Sequence, residues 1–314
     1  DIIHKAIENH VNFSCEASVG GGIPILMPLH QSLAANQIES IVGILNGTTN
    51  YILSQMTETG VNYANALADA QKQGFAEADP TNDVCGFDAA RKLAILSSIG
   101  FRANVTFDDV LVEGIEKIDK SDIQYAKDMG YTIKLLTVAL RQENGIALNV
   151  YPAFLPDNHP LSSVKGAYNA IYVTGNIVDD VMFYGRGAGA LPTASAVMGD
   201  VISTAQHILN GSTGTGMIMT DTKRIPFYSS LKLQNSYYFR LDVDDVTGVL
   251  SQIAAAFAEN DISICEVVQK RKTKGLAELV LITELTSRES ILQVEKALQV
   301  LPCMRKVANV IRVM

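Results

Sequence analysis

Gly74-Phe75-Ala76-Glu77-Ala78-Asp79-Pro80-Thr81-Asn82-Asp83-Val84-Cys85-Gly86-Phe87-Asp88-Ala89-Ala90-Arg91-Lys92 is an acid-rich loop that runs directly into a helix. Four carboxylates, Glu77, Asp79, Asp83 and Asp88, precede one ammonium, Lys92. Asp88 and Lys92 stand four residues apart, so on a helix they share a face, with the acid in the favourable N-terminal place of the pair. Ile95, Leu96 and Ile99 follow the lysine at helical spacing and set it at the edge of an apolar stripe. Burial there favours the neutral amine while Asp88 favours the charged form, a balance suited to giving up a proton at neutral pH and recovering it. Spacing alone favours the plainer reading, charges that decorate an amphipathic helix. The acids upstream weigh against it, although some of them suit a helix N-terminus as caps. A small cation, such as a substrate amine, would give the clustered carboxylates a partner.

Working outward, Asp1 to His10 has the spacing of a helix, and Val11 to Val19 alternates as a strand ending in Gly20-Gly21-Gly22-Ile23-Pro24. A helix from Met27 to Ala35 and a buried strand from Ile38 to Leu45 follow, and Asn46-Gly47 breaks that strand before a helix capped by Thr48 or Thr49. Further strands are expected at Tyr131 to Leu140, Ala147 to Ala153, Ala170 to Thr174 and Asp179 to Tyr184, mostly consecutive in a mixed or antiparallel sheet. Gly185-Arg186-Gly187-Ala188-Gly189 then leads through Pro192 into a helix from Thr193 to Leu209, a glycine-rich loop aimed at a helix N-terminus. The polar stretch from Asn210 to Gly216 and the segment from Thr222 to Lys232 mark a boundary. Beyond it, strands at Tyr237 to Val243, Ser263 to Gln269, Ala277 to Glu284 and Arg305 to Val313 alternate with helices at Val246 to Glu259 and Glu289 to Leu298, the βαββαβ order of ferredoxin-like modules. The fold class is α+β: a mixed sheet with helices in residues 1–225, then a ferredoxin-like module in residues 233–314.

A chain of 314 residues is long enough for two cores. With 47% hydrophobic residues, 18% charged residues and a formal net charge of -8, it offers no basic surface for nucleic acid or anionic lipid. No apolar run is long enough to span a bilayer, and no basic segment leads into an apolar core at the start, so the chain reads as cytoplasmic. Cys15, Cys85, Cys265 and Cys303 lie far apart and read as free thiols, and the five histidines show no metal-ligand spacing.

At the quoted segment the chain closely resembles homoserine dehydrogenase, and other blocks carry the same resemblance in the family's order. They are Glu16-Ala17-Ser18-Val19-Gly20-Gly21-Gly22-Ile23-Pro24, then Asn46-Gly47-Thr48-Thr49-Asn50-Tyr51-Ile52-Leu53, the opening stretch through Leu96, and Gly185 to Gly189 with Pro192-Thr193-Ala194-Ser195-Ala196. The module after them resembles the ACT regulatory domain, with Asp245-Val246-Thr247-Gly248-Val249-Leu250 matching its first loop and helix. The resemblance implies NAD(P)H-dependent reduction of L-aspartate 4-semialdehyde to L-homoserine, on the way to threonine, methionine and isoleucine. It makes Lys92 the proton donor and Asp88 the acid that positions it. Glu77 would hold the substrate amine, Asp83 would be a further acid of the substrate pocket, and Gly47 and Thr48 a substrate-contacting turn. Gly189 would touch the nicotinamide nucleotide, and Glu16, Val19, Gly21 and Ile23 would bind a sodium ion, mostly through backbone carbonyls. A tight strand-end turn explains those glycines equally well. The ACT resemblance implies a threonine effector near Asp245 and Gly248 and a homodimer or homotetramer.

The family also begins with a Rossmann domain, and no strand, glycine-rich turn and helix of that kind occurs in these residues. Residues 1–10 then read as a remnant of it, and the family's second lysine, in an Ala-Asn-Lys motif, would fall ahead of Asp1. On this reading the chain is a fragment holding the substrate half and the regulatory module. The alternative is a non-enzymatic amino-acid sensor whose ACT-like module binds threonine. Little or no turnover is expected of the purified 314 residues; robust NAD(P)⁺-dependent oxidation of homoserine by them would refute this.

Overall fold

The computed structural model describes residues 2–213, 225–271 and 275–314; residues 214–224, within the expected boundary, lie outside the described residues. The elements of the larger module are α1 (Ile2–Glu8), β1 (Ile38–Ile44), α2 (Gly47–Thr59), α3 (Tyr63–Lys72), α4 (Thr81–Val84), α5 (Phe87–Gly100), β2 (Leu111–Val112), α6 (Lys120–Asp128), β3 (Tyr131–Gln142), β4 (Gly145–Pro156), β5 (Tyr168–Gly175), β6 (Asp179–Arg186) and α7 (Ala190–Leu209). The smaller module holds β7 (Gln234–Asp244), α8 (Val249–Ala258), β8 (Ile264–Arg271), β9 (Leu276–Thr283), β10 (Thr286–Ser287), α9 (Arg288–Gln299) and β11 (Met304–Val313).

Apolar β-branched runs such as Ile38–Ile44 and Tyr131–Gln142 are buried over most of their length, which suits strands covered on both faces. The strand order is β6-β5-β1-β3-β4-β11-β7-β9-β8. Within the larger module every pairing along this path is antiparallel, and β1 lies between β3 and β5 rather than at the edge. The smaller module has the expected βαββαβ order. Its last strand, β11, pairs antiparallel with β7 and parallel with β4 at Arg312↔Ala153 and Val313↔Phe154, so one sheet runs through both modules. No helix among the described residues is long and apolar enough to cross a membrane.

Three expectations differ. Val11 to Val19 is not a strand: residues 11–15 are irregular and Glu16–Ser18 forms one 3-10 turn. The reason is Glu16, which is buried and whose carboxylate accepts from the backbone N–H groups of Ile25 (2.5 Å), Leu26 (2.8 Å) and Met27 (2.8 Å), folding the segment back onto the next helical start. The helix that follows is wound as a π-helix over Pro28–Ser32. The cap of α2 is neither Thr48 nor Thr49 but Asn46, whose side chain accepts from Thr49 N.

The smaller module buries both faces of its inner strands β7 and β9. Phe239, Leu241, Leu279 and Leu281 pack under α8 and α9, whereas Tyr238, Val280, Ile282 and Ile311 join the core of the larger module. Polar groups sealed in that junction are paired. Asp122, fully buried on α6, accepts from Arg240 Nε (2.7 Å), Tyr238 OH (3.1 Å) and Asn309 Nδ2 (2.7 Å). Arg312 grips Glu113 with two bonds (2.9 and 3.0 Å) while lying over the Tyr151 ring at 4.1 Å. Burial alone would raise the Glu113 pKa; the Arg312 guanidinium reverses this and holds it below the usual carboxylate range. Removing one partner of a buried ion pair strands the other. Arg240→Met is therefore expected to lower stability by about 3–5 kcal/mol in urea unfolding, with partial recovery when Asp122→Leu is added.

Candidate active site

The end of β1 and the starts of α2 and α5 meet around one amide. Asn46 Nδ2 donates to Asp83 Oδ1 (2.7 Å) and Asp88 Oδ2 (2.9 Å), and its Oδ1 accepts from Thr49 N (2.9 Å). Two carboxylates on one side require the NH₂ there, so the amide orientation is fixed by its partners. Asp88 Oδ2 also binds Lys92 Nζ at 2.7 Å, and the same ammonium donates to Leu45 O at 3.1 Å. Asp88 lies in the first turn of α5, where the helix dipole favours a carboxylate. Lys92 keeps 21% of its side chain exposed and Asp88 31%, so the pair is reachable yet partly desolvated. Decoration of a helix surface does not describe this geometry: both residues are bonded to the strand end across the fold.

Glycine turns wall the same region. A side chain on Gly47 would place its Cβ 2.9 Å from Ala167 O and 3.6 Å from Asn169 Oδ1, and one on Gly187 would strike the Asn169 amide. Gly21, at φ 56°, has Gly187 O only 2.5 Å from where a Cβ would be. The triple glycine and the Gly185–Gly189 loop therefore interlock backbone to backbone, and Asn169 sits between the latter and the Gly47 turn. Gly189, at φ 124°, opens the 20-residue helix α7. Thr48 is buried and donates to Phe75 O (2.6 Å), tying the start of α2 to the acidic loop.

The fold brings together Gly47, Thr48, Asp83, Asp88 and Lys92. Glu77 stands on the exposed loop two residues past the Thr48 anchor, its side chain bonded to none of them. Asp79 closes a local turn: Thr81 N and Oγ1 donate to it, and these bonds lower its pKa. Val19, Gly21 and Ile23 carry carbonyls that accept no backbone hydrogen bond among the described residues. The Glu16 carboxylate is engaged by three backbone N–H groups, and the Glu16 backbone N–H donates to Asp200 on α7 (3.0 Å). Asp245 and Gly248 lie far from this site in the chain, at the exposed start of α8, where Gly248 adopts φ 88° and Asp245 N donates to Gly275 O. Asn46 is the residue that sequence reading passed over. It heads one of the blocks of the family resemblance, but its position at a strand end followed by glycine and two threonines is also that of an ordinary cap.

Together these features define a two-module protein in which a lysine–carboxylate pair at a strand-to-helix junction faces glycine-lined turns. The family model for "Homoserine dehydrogenase" matches residues 24–202, and that for the "ACT domain" matches residues 237–303. The homoserine dehydrogenase of Mycobacterium tuberculosis is 42% identical over 322 residues, covering 99% of this chain and 73% of that protein. A crystal structure of a homoserine dehydrogenase from Thiobacillus denitrificans superposes with a TM-score of 0.94 at 36% identity, over 100% of this chain and 72% of that one. A hyperthermophilic archaeal homoserine dehydrogenase mutant in complex with NADPH matches at a TM-score of 0.57 and 27% identity, over 65% of this chain and 59% of that one. This chain belongs to the homoserine dehydrogenase family of oxidoreductases and carries an ACT domain.

Asn46→Ala removes a helix cap, worth about 1 kcal/mol, and the donor between two carboxylates, worth about 1.5–3 kcal/mol. A loss of roughly 2.5–4 kcal/mol is expected in urea unfolding. Asn46→Asp keeps the cap acceptor but replaces the donor between Asp83 and Asp88 with a third carboxylate, and at neutral pH it is expected to be less stable than the unaltered chain in urea unfolding.

Proposed function

We propose that this chain binds L-aspartate 4-semialdehyde and L-homoserine and that Lys92 exchanges the proton at the carbonyl or alkoxide oxygen. The observation that carries this is the Lys92 ammonium itself. Two of its three protons are engaged, by Asp88 and Leu45 O, and the third is left for a reacting oxygen. Asp88, restrained in turn by Asn46, fixes the direction in which that proton is offered. As negative charge develops on the substrate oxygen, the nearby ammonium stabilises it. Asp83, bonded to Asn46, and Glu77, on the exposed loop, are the carboxylates we assign to the substrate amine and its surroundings. Gly47 and Thr48 supply backbone close to the substrate.

The nicotinamide cofactor, NADPH or NADH, supplies the hydride when bound. The part of this chain that fits it is Gly187–Gly189 at the start of α7, where bare backbone and a helix N-terminus suit a phosphate-bearing ligand. The carbonyls of Val19, Gly21 and Ile23 suit sodium, a role supported by their lack of backbone donors among the described residues. We place the reaction in the biosynthesis of threonine, methionine and isoleucine, with threonine as the effector of the ACT domain near Asp245 and Gly248. Self-association is supported by an exposed apolar face on β6 and α7, including Tyr184, Leu191, Val197, Met198, Val201 and Ile202. Family membership favours the enzyme over the non-enzymatic sensor.

In an enzyme that contains these residues together with a nucleotide-binding domain, Lys92→Ala is expected to cut kcat by about 10²–10⁴-fold with little change in Tm. Near-normal kcat in that variant would sink the assignment.

A further inference from the structure

Lys134 lies in the first half of β3, 2% exposed, and no carboxylate comes within 4.0 Å of its ammonium among the described residues. Its Nζ donates to Asn50 Oδ1 (3.0 Å) and Val164 O (2.5 Å), both uncharged, so the hydrogen bonds are largely met and the charge is not. A buried ammonium without a counter-ion is costly. Burial first, and then repulsion from Lys165, push its pKa down to about 8, while Glu58 pulls weakly the other way. The proton-donor site around Lys92 makes no use of this residue.

Lys134 borders a cavity of about 290 Å³ that is also lined by Ser54, Lys127, Tyr131, Asp157 and Lys165. The two acids at its rim have partners: Glu58 faces Lys165 at 3.6 Å, and Asp157 accepts from Thr132 at 2.7 Å. Lys127, Lys134 and Lys165 thus line, with Glu58 and Asp157, a space large enough for a small ion, and of the three lysines Lys134 is the buried one. We propose that this cavity binds a small oxyanion, a phosphate or a carboxylate, whose negative charge compensates the Lys134 ammonium. The wall it would steady is continuous with the turn assigned above to substrate. Asn50 Nδ2 donates to Gly166 O (2.9 Å) and Tyr168 O (3.0 Å), Ser54 Oγ accepts from Gly166 N (3.1 Å), and Ala167 O abuts Gly47.

A lysine whose pKa is depressed by folding leaves the unfolded chain holding more protons between about pH 8 and 10.5, so its contribution to stability rises with pH across that window. An oxyanion favours the ammonium and flattens that rise. At pH 7 and constant ionic strength, inorganic phosphate at about ten times its Kd is expected to raise Tm by on the order of 2 °C. Lys134→Met should leave Tm without phosphate unchanged or higher and abolish the shift. Lys165→Gln, at an exposed rim position, should weaken it several-fold without unfolding the chain. Acetate in place of phosphate identifies a carboxylate if it alone gives the shift. No shift with either anion, or an equal shift in Lys134→Met, overturns the proposal. Because the readout is stability, failure of the Lys92 assignment, which rests on kcat, is scored separately.

Discussion

The side-chain amide of Asn46 holds three elements in register, and the chemistry of the site follows from that restraint. Without a donor between them, Asp83 and Asp88 would repel, and the lysine would answer to a mobile carboxylate. With it, the two acids are held at bonding distance from a single nitrogen, and Lys92 is pinned between Asp88 and the strand end at Leu45. The same amide closes the first turn of α2 through Thr49. Helix capping and carboxylate spacing are thus one set of bonds, so loosening either loosens both.

The smaller module reaches this arrangement through a short strap. Arg312 on β11 holds Glu113, and Gly114 lies so close to Val84 and Cys85 that a Cβ there would meet Val84 O at 2.4 Å. Ile115 N donates to that same carbonyl at 2.9 Å. Val84 adjoins Asp83 in the chain, so the position of the ACT domain and that of an acid bonded to Asn46 are set by contiguous contacts. Close packing of this kind transmits displacement rather than absorbing it.

Much of the fold was legible because its signals are local. The Asp88–Lys92 pair follows from helical spacing, the buried strands from apolar runs, and the βαββαβ order from alternating patterns. The blocks that resemble homoserine dehydrogenase were readable as short motifs, and most of them meet in space: the triple glycine locks into the Gly185–Gly189 loop, and Asn46-Gly47-Thr48 touches the acidic loop. What stayed hidden is what depends on partners distant in sequence. Asn46 bonds acids 37 and 42 residues away, so its side chain reads as a cap until those acids arrive. Glu16 looks like a free carboxylate, yet three backbone N–H groups consume it, and the strand expected around it is lost as a result. Lys134 sits among Ile133, Leu135 and Leu136 in a run whose alternation gave no hint of a charge sealed inside.

The join between β4 and β11 bears on how such a chain is made. The outer edge of β4 is shared: β2 pairs with it at Asn149 and Val150, and β11 at Ala153 and Phe154. On a ribosome, β2 is synthesised before β4, but β11 emerges only after all of β7 to β10. During that interval the Ala153–Phe154 edge stands open, the kind of unpaired strand edge through which nascent chains associate wrongly. The ACT domain in this chain is therefore more than an appended module. Its last strand closes the sheet of the larger module, so a chain cut short before β11 would keep the Asp88–Lys92 pair and leave the Ala153–Phe154 edge of β4 open.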